Sequence, residues 1–380
     1  MNRPARICHI ITGLNDGGAE AVLYRLCQHD LANRHHVVSL SDAGKYGPLL
    51  ETLGVSVTTL NMSPNRPSPL TLIRLVRLLR QEKPNVVQTW MYHGDLVGGV
   101  AARLAGIRSI VWGIRQSNLT PKKSKKTTIW IAKLLAKLSW WLPSKILVCA
   151  RRAAEVHEAL GYDRRKMRFI PNGYDLADFQ PGLDVRNELK SSLLRGRSIP
   201  LIGTVGRFDP QKDHLNLLDS LAVLRNRGTD FLCVLVGTGM DSSNTQIVEW
   251  IAQRGLQDQV LLLGRRTDIP KVMSALDMHI LPSSYGEAFP NVVAEAMACA
   301  TPCVVTDVGD AAYIVGDTGW IVPPNDANAL ADAIIAGIKD MNSDFRQERC
   351  RLARHRIEKN FSIEGMVEAY NELWSEVLTT

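Results

Sequence analysis

The chain has 380 residues, enough for about two domains that each bury a core, and its charged and apolar fractions are those of a globular protein. Its seven cysteines include no CxxC pair, which argues against a disulfide framework or structural zinc and for a reducing compartment; the N-terminal apolar run is too short for a signal peptide, and no run of about 18 apolar residues could cross a membrane. The net charge of +7 is uneven, with 26 Lys and Arg against 10 Asp and Glu in residues 1–170 and a net −9 beyond, so the first half is expected to meet an anionic surface, membrane or nucleic acid.

In chain order, RICHIIT (6–12) reads as a buried strand, GLNDGGAE as a glycine-rich loop and AVLYRLCQHDLA as a helix. That is the start of a Rossmann-like unit. There is no GxGxxG, so a nicotinamide oxidoreductase is disfavoured. Gly17 and Gly18 instead let a ligand approach the backbone, or simply form a tight turn. HVVSLS and VSVTTLN are further strands, PLTLIRLVRLLRQEKP is an amphipathic helix, and NVVQTW is a short buried strand. His93, Gly94 and Asp95 stand at the C-terminal end of that strand, just before a helix, where open parallel sheets bind ligands. SIVWGIRQS is another strand. Lys122, Lys123, Lys125 and Lys126 then precede a helical stretch with Ile129, Trp130, Leu134, Leu135, Leu138, Trp141 and Leu142 on one side. A basic amphipathic helix with tryptophan can lie in a membrane interface; equally, it can pack on its own sheet with its lysines in water. The strand KILVCA, the helix RRAAEVHEALGY and the segment RFIPNGYDLADFQPG end this half.

The second half repeats the alternation. LIGTV delivers Gly206 and Arg207 at a strand end, and Lys212 follows before a helix. Two cations at such a turn make a reasonable clamp for a diphosphate, or are simply solvated surface charge, and both are expected at a wet cleft. FLCVLVGTG is the next strand, and VLLLG ends at Gly264 with Arg265 after it. SSYGEAFPNVVAEAMACA then holds Glu287 in a loop and Glu295 inside a helix, with Pro290 expected at the first helical position. The loop and helix N-terminus offer N–H groups and a positive dipole end that suit a phosphate. TPCVVTDVGD, TGWIVPPNDANALADAIIAGI and the amphipathic SIEGMVEAYNELWSEVL complete the chain.

The two acids eight positions apart resemble the Glu-x7-Glu motif of retaining glycosyltransferases of the GT-B type, glycosyltransferase family 4. GRFDPQK is similar to that family's G-R-x-x-x-x-K, HGDLVGGVAARLAG to its histidine segment, and IPNGYD to its I-P-N-G-I-D segment, with Tyr174 where an aliphatic residue is usual and expected to be harmless. The resemblance covers nearly the whole chain. It implies an α/β fold of two Rossmann-like doubly wound domains facing across a cleft (GT-B), with a C-terminal helix crossing back to the first domain. The expected boundaries are 1–175 for the acceptor-side domain, 176–361 for the nucleotide-sugar domain and 362–380 for the crossover helix.

The resemblance also implies roles. Arg207 and Lys212 stabilise the departing diphosphate, Glu287 and His93 reach the donor sugar, and Glu295 holds the ribose. Gly17, Gly18, Gly206, Arg265, Phe289, Asn291 and Val292 line the donor. No metal or cofactor is implied, because the two cations do a metal's work. The implied partners are a nucleotide-sugar donor, with UDP preferred and GDP open, and a glycan acceptor. The lysines with Trp130 point to a lipid-linked acceptor and an anionic membrane surface, hence a cytoplasmic enzyme peripheral to the inner face. Ala288 stands where the family commonly has glycine, which leaves the donor sugar open. A GT-B UDP-sugar 2-epimerase would share these residues. A nucleic-acid-binding protein would share the charge, but no signature of one is present.

Overall fold

The computed structural model describes residues 4–62, 69–117, 119, 126–341 and 343–379. It divides into two compact units, residues 1–173 with 363–380, and residues 174–362.

The first unit runs β1 (Arg6–Ile11), α1 (Gly18–His29), β2 (Arg34–Ser39), α2 (Tyr46–Thr52), β3 (Ser56–Thr59), α3 (Pro69–Glu82), β4 (Val86–Trp90), α4 (Met91–Leu104), β5 (Ile110–Ile114), α5 (Lys126–Leu138), β6 (Lys145–Val148), α6 (Arg151–Ala159) and β7 (Met167–Phe169). The second runs α7 (Leu183–Leu194), β8 (Leu201–Val205), α8 (His214–Asn226), β9 (Leu232–Val236), α9 (Thr245–Gln253), β10 (Val260–Gly264), α10 (Ile269–Ala275), β11 (Met278–Leu281), α11 (Asn291–Ala298), β12 (Cys303–Thr306), α12 (Ala311–Val315), β13 (Trp320–Val322), α13 (Ala327–Met341) and α14 (Arg346–Asn360). The chain then returns to the first unit as α15 (Ile363–Thr379).

Both sheets are parallel. Their orders are β3-β2-β1-β4-β5-β6-β7 and β10-β9-β8-β11-β12-β13. Parallel strands covered on both faces read as continuous apolar runs, and VVQTW, IVWGI, LIGTV and LCVLV are buried at every position. The strand order reverses between β1 and β4 in one sheet and between β8 and β11 in the other. Open α/β sheets bind ligands just outside the strand C-termini at such switch points. In the first unit, α15 lays Met366, Tyr370, Leu373, Trp374 and Val377 into the core of Ile7, Leu23, Val37 and Trp90. Its polar edges are tied as well: Trp374 Nε1 donates to Gln88 Oε1 at 3.2 Å, and Lys145 pairs with Glu376.

Three local expectations need correction. His93 lies inside the first turn of α4, not before it. The turn out of β4 is made by a single residue, Met91, at φ 64°, a left-handed conformation that removes any loop. Pro290 is the residue before α11, with ψ 96°, and the helix starts at Asn291. The basic segment divides differently from its sequence pattern. Ala132, Leu135 and Ala136 pack inward, while Trp130 (65% exposed), Lys133, Lys137 and Trp141 (75% exposed) face solvent. The tryptophans therefore share a face with the lysines, not with Leu135. Lys122, Lys123 and Lys125 lie outside the described residues.

Candidate active site

At the switch point of the second sheet, β8 ends at Val205 and β11 at Leu281, and the loops that follow carry the charged residues. Asp209 organises the first loop. Its side chain accepts from Gln211 N at 2.9 Å, which caps the short turn Pro210–Lys212, and from Arg207 Nε at 3.1 Å. The Lys212 stem lies across Gly206, and its ammonium donates to Glu287 Oε1 at 2.7 Å. Ser283 Oγ donates to the same carboxylate oxygen at 2.7 Å. Ser283 is held in turn, since its carbonyl accepts from Thr306 Oγ1 at 2.6 Å.

The expectation of two wet cations holds for Arg207, which is 61% exposed, and fails for Lys212, whose side chain is 14% exposed against a buried Glu287. The reason is the acid: a buried carboxylate needs a partner, and Lys212 is the partner within reach. Backbone packing fixes that acid. Gly309, at φ 62°, brings the turn after β12 so close that a Cβ there would run into the Glu287 carbonyl, and Asp310 N donates to Ala288 O at 2.9 Å. Gly237, at φ 146°, does the same for Gly206, where a Cβ would run into the Gly206 carbonyl.

Phe289 is buried, and Asn291 and Val292 open α11 with Glu295 one turn further on, half-buried. Among the described residues no side chain caps this helix. The N–H groups of a first turn have no partner in the helix ladder, so this end is suited to an anion. Arg265, just past β10, is exposed. Sequence reasoning passed over Tyr174. It is fully buried and donates from its hydroxyl to Asn291 Oδ1 at 2.6 Å, tying the start of the second unit to α11. The signal was its presence at a position expected to be aliphatic.

In the first unit, Gly17 precedes α1 and Gly18 opens it; a Cβ on Gly17 would run into Glu20 Oε2. Burial raises the pKa of Glu20, and Asp16 pairs with Lys45 at 2.8 Å. His93 is exposed, and partial desolvation lowers its pKa. Two positions on, Asp95 is wholly buried. It accepts from Thr89 Oγ1 at 2.6 Å and Gly113 N at 3.1 Å, and burial pushes its pKa up to about 8.

Among the described residues, one group has the composition of a metal site: His9, Cys27 and His35. Trp90 Nε1, a donor only, points at His9 Nδ1 at 3.2 Å. His9 Nε2 therefore carries the proton and donates to His35 Nδ1 at 2.9 Å. Both nitrogens that would face an ion are committed to each other.

Comparison with known proteins identifies the setting. Residues 199–340 match the family described as Glycosyl transferases group 1, and residues 16–178 match Glycosyltransferase Family 4. The UDP-Gal:alpha-D-GlcNAc-diphosphoundecaprenol alpha-1,3-galactosyltransferase of Escherichia coli is 28% identical over 81% of this chain and 79% of its own. The lipopolysaccharide core biosynthesis mannosyltransferase LpsB of Rhizobium meliloti is 31% identical over 55% of this chain and 60% of its own. The structure of HepE from Anabaena in complex with UDP-glucose superposes with a TM-score of 0.85 at 21% identity, covering 98% of this chain and 100% of that one, a likeness of fold.

Proposed function

This chain belongs to the group 1 glycosyltransferases of the GT-B fold and acts in bacterial polysaccharide or glycoconjugate synthesis; we propose that it moves a sugar from a UDP-linked donor to a lipid-linked glycan with retention of anomeric configuration. The observation that carries the reading is the Lys212–Glu287 pair at the switch point of the second sheet. A cation already desolvated beside an acid can turn to a diphosphate without drawing water into the site.

In this reading the diphosphate lies against Lys212, Arg207 and the N-terminus of α11. Glu287 holds sugar hydroxyls, and Glu295 holds the ribose. Gly206 allows close backbone approach, Arg265 borders the base, and the N–H groups of Phe289, Asn291 and Val292 face the sugar and phosphate. The acceptor hydroxyl attacks the anomeric carbon on the face the phosphate leaves. The new C–O bond forms as the bond to phosphate breaks, and the hydroxyl proton passes to the departing phosphate oxygen. Lys212 and Arg207 meet the charge that develops there, the task a metal would otherwise perform.

The acceptor reading rests on α5. Lys126, Trp130, Lys133 and Lys137 share its outer face, and Trp140 and Trp141 follow it. The turn behind them is braced: Lys166 Nζ donates to the carbonyls of Ser139, Trp140 and Pro143 at 2.8–3.0 Å, and Arg103 donates to those of Trp141 and Leu142 at 2.9 and 3.0 Å. Tryptophan and lysine fixed on one outward face suit an anionic bilayer surface, each basic residue adding about 1 kcal/mol. Among the described residues no helix is long and apolar enough to cross a membrane.

The test is a panel of UDP- and GDP-sugars, scored for nucleotide release with and without a polyprenyl-diphosphate glycan, alongside sedimentation with anionic vesicles. Acceptor-dependent, EDTA-resistant release and salt-sensitive sedimentation are expected. Release without acceptor, accompanied by an epimerised sugar, would replace the transferase reading. Failure to sediment at low salt would remove the lipid-linked acceptor.

A further inference from the structure

The opposite, N-terminal end of the second sheet holds a charged cluster that the transfer reaction leaves unused. Asp277, immediately before β11, is 5% exposed. Its carboxylate accepts from Leu201 N at 2.9 Å, Arg186 Nη2 and Arg346 Nη2 at 2.8 Å each, and Lys190 Nζ at 2.6 and 2.7 Å. Burial works to raise its pKa, but Lys190, the Leu201 N–H and Arg186 hold it below the ordinary carboxylate range. One carboxylate thus faces three cations. The nearby Asp340 does not restore the balance, because Arg349 holds it at 2.7 Å.

A cavity of about 420 Å³ opens beside this cluster, with Lys190, Arg197, Arg346, Ser191 and Ser198 in its wall. Asp277 is the only acid among the described residues that line it. Arg197 is exposed; it donates to the carbonyls of Leu194 and Asp258, at 3.3 and 3.5 Å, and pairs with no acid among the described residues. Arg186 and Arg346 each give Asp277 one nitrogen of a fork that carries five N–H donors. Lys190 and Arg346 are only partly exposed, and surplus positive charge beside one carboxylate there is relieved when an anion joins it. Guanidinium and ammonium groups with serine hydroxyls suit the several charged acceptor oxygens of a tetrahedral phosphate better than they suit a single carboxylate.

We propose that this cavity binds a small soluble phosphorylated anion, its phosphate held by Lys190, Arg197 and Arg346, as a second site separate from the donor site. Arg346 opens α14. The same helix holds the backs of the donor elements: Arg354 Nη1 donates to Ala298 O, the end of α11, at 2.5 Å, and Arg356 donates to Ile314 O and Tyr313 O in α12 at 2.7 and 2.6 Å. An anion at the cavity therefore steadies a helix on which α11 and α12 rest.

The experiment is thermal unfolding of wild type, Arg197→Gln and Arg346→Gln in inorganic phosphate or pyrophosphate against chloride at equal ionic strength. Phosphate bound at the donor site contributes alike to all three proteins and cancels. Wild type should gain stability from phosphate, and each variant should need about tenfold more for the same gain, the effect of losing one charge-assisted contact. Arg197 lies outside the Asp277 pairs, so its variant keeps the test open if Arg346→Gln does not fold. A phosphate response absent from wild type, or identical in wild type and Arg197→Gln, overturns the site. Stabilisation by phosphatidic acid vesicles but not by inorganic phosphate overturns the soluble ligand.

Discussion

Each of the two sheets sets a buried carboxylate just past a strand at its switch point, and the two acids are handled in opposite ways. Asp95, behind β4, receives only neutral donors, Thr89 Oγ1 and Gly113 N, and burial pushes its pKa up to about 8. Glu287, behind β11, receives Ser283 Oγ and the Lys212 ammonium. The first acid is a neutral brace that holds β4, α4 and β5 together. The second is half of an ion pair at a helix N-terminus. Identical topology therefore does not confer identical chemistry. What separates a structural acid from one that can serve an anionic ligand is a cation close enough to be shared.

The strongest way to break this contrast is to put Glu287 in the position of Asp95 by removing its cation. Lys212→Ala should lower turnover by about 10²-fold or more, and so should Arg207→Ala, because in the proposed reaction each is a charged donor to the departing diphosphate. The two should differ in stability. Lys212→Ala takes the cation from a buried carboxylate and should cost about 3 kcal/mol or more, while Arg207 is exposed and its loss should leave the melting temperature nearly unchanged. Adding Glu287→Gln to Lys212→Ala should recover stability but not turnover. Wild-type turnover in both single variants would remove the clamp.

Glu295 sharpens the contrast from the binding side. Glu295→Ala should weaken free UDP by about tenfold or more, the worth of one charge-assisted hydrogen bond, while Glu287→Ala should act mainly on the rate with sugar donor. Calorimetric titration of UDP into both variants checks this. Equal affinity in wild type and Glu295→Ala would end the ribose role.

Sequence carried the fold because parallel strands buried on both faces announce themselves as short apolar runs between turn residues, as VVQTW and LIGTV do. It also carried the charged residues of the second sheet, because Arg207, Lys212 and Glu287 follow directly from the strands that position them. What it did not carry was the environment of each side chain. Lys212 and Arg207 sit five residues apart in one motif, yet one is paired in a near-dry setting and the other lies in water, a difference set by Glu287, 75 residues away. The face of α5 was misread for a related reason. Trp130 and Leu135 are both apolar, so hydropathy groups them, and only packing against the rest of the unit separates them. Ser283, Thr306 and Gly309 have no signal of their own; their importance comes from touching Glu287 or the chain around it.

Asp95 provides a test by pH. Its folded pKa of about 8 lies above the unfolded value of about 3.9, so the folded state holds the extra proton between those limits. The stability it contributes is fully present below about pH 4 and is lost as pH rises through about 8, at up to about 1.4 kcal/mol per unit. Asp95→Asn mimics the neutral acid and should flatten this loss, leaving wild type and variant similar in acid and the variant more stable at pH 8. Melting curves across that range decide the matter, and parallel pH profiles would show that Asp95 is not held neutral.

The smallest effect concerns Tyr174, which supports the charged side of the contrast without carrying charge. Its hydroxyl meets Asn291 Oδ1 at 2.6 Å in the first position of α11, and its backbone N–H donates to Phe361 O at 3.0 Å. The ring is fully buried, so Tyr174→Phe keeps the shape and deletes one hydrogen bond. That deletion should cost about 1 kcal/mol. Because the bond orients a residue at the helix end proposed to receive the donor, part of the loss should appear as a KM for the nucleotide sugar raised about threefold, with kcat little changed. Tyr174→Leu would restore the aliphatic type expected at this position but leave a differently shaped space, and should raise KM at least as much. A Tyr174→Phe enzyme with lowered stability and an unchanged KM would show that the hydroxyl serves the fold alone.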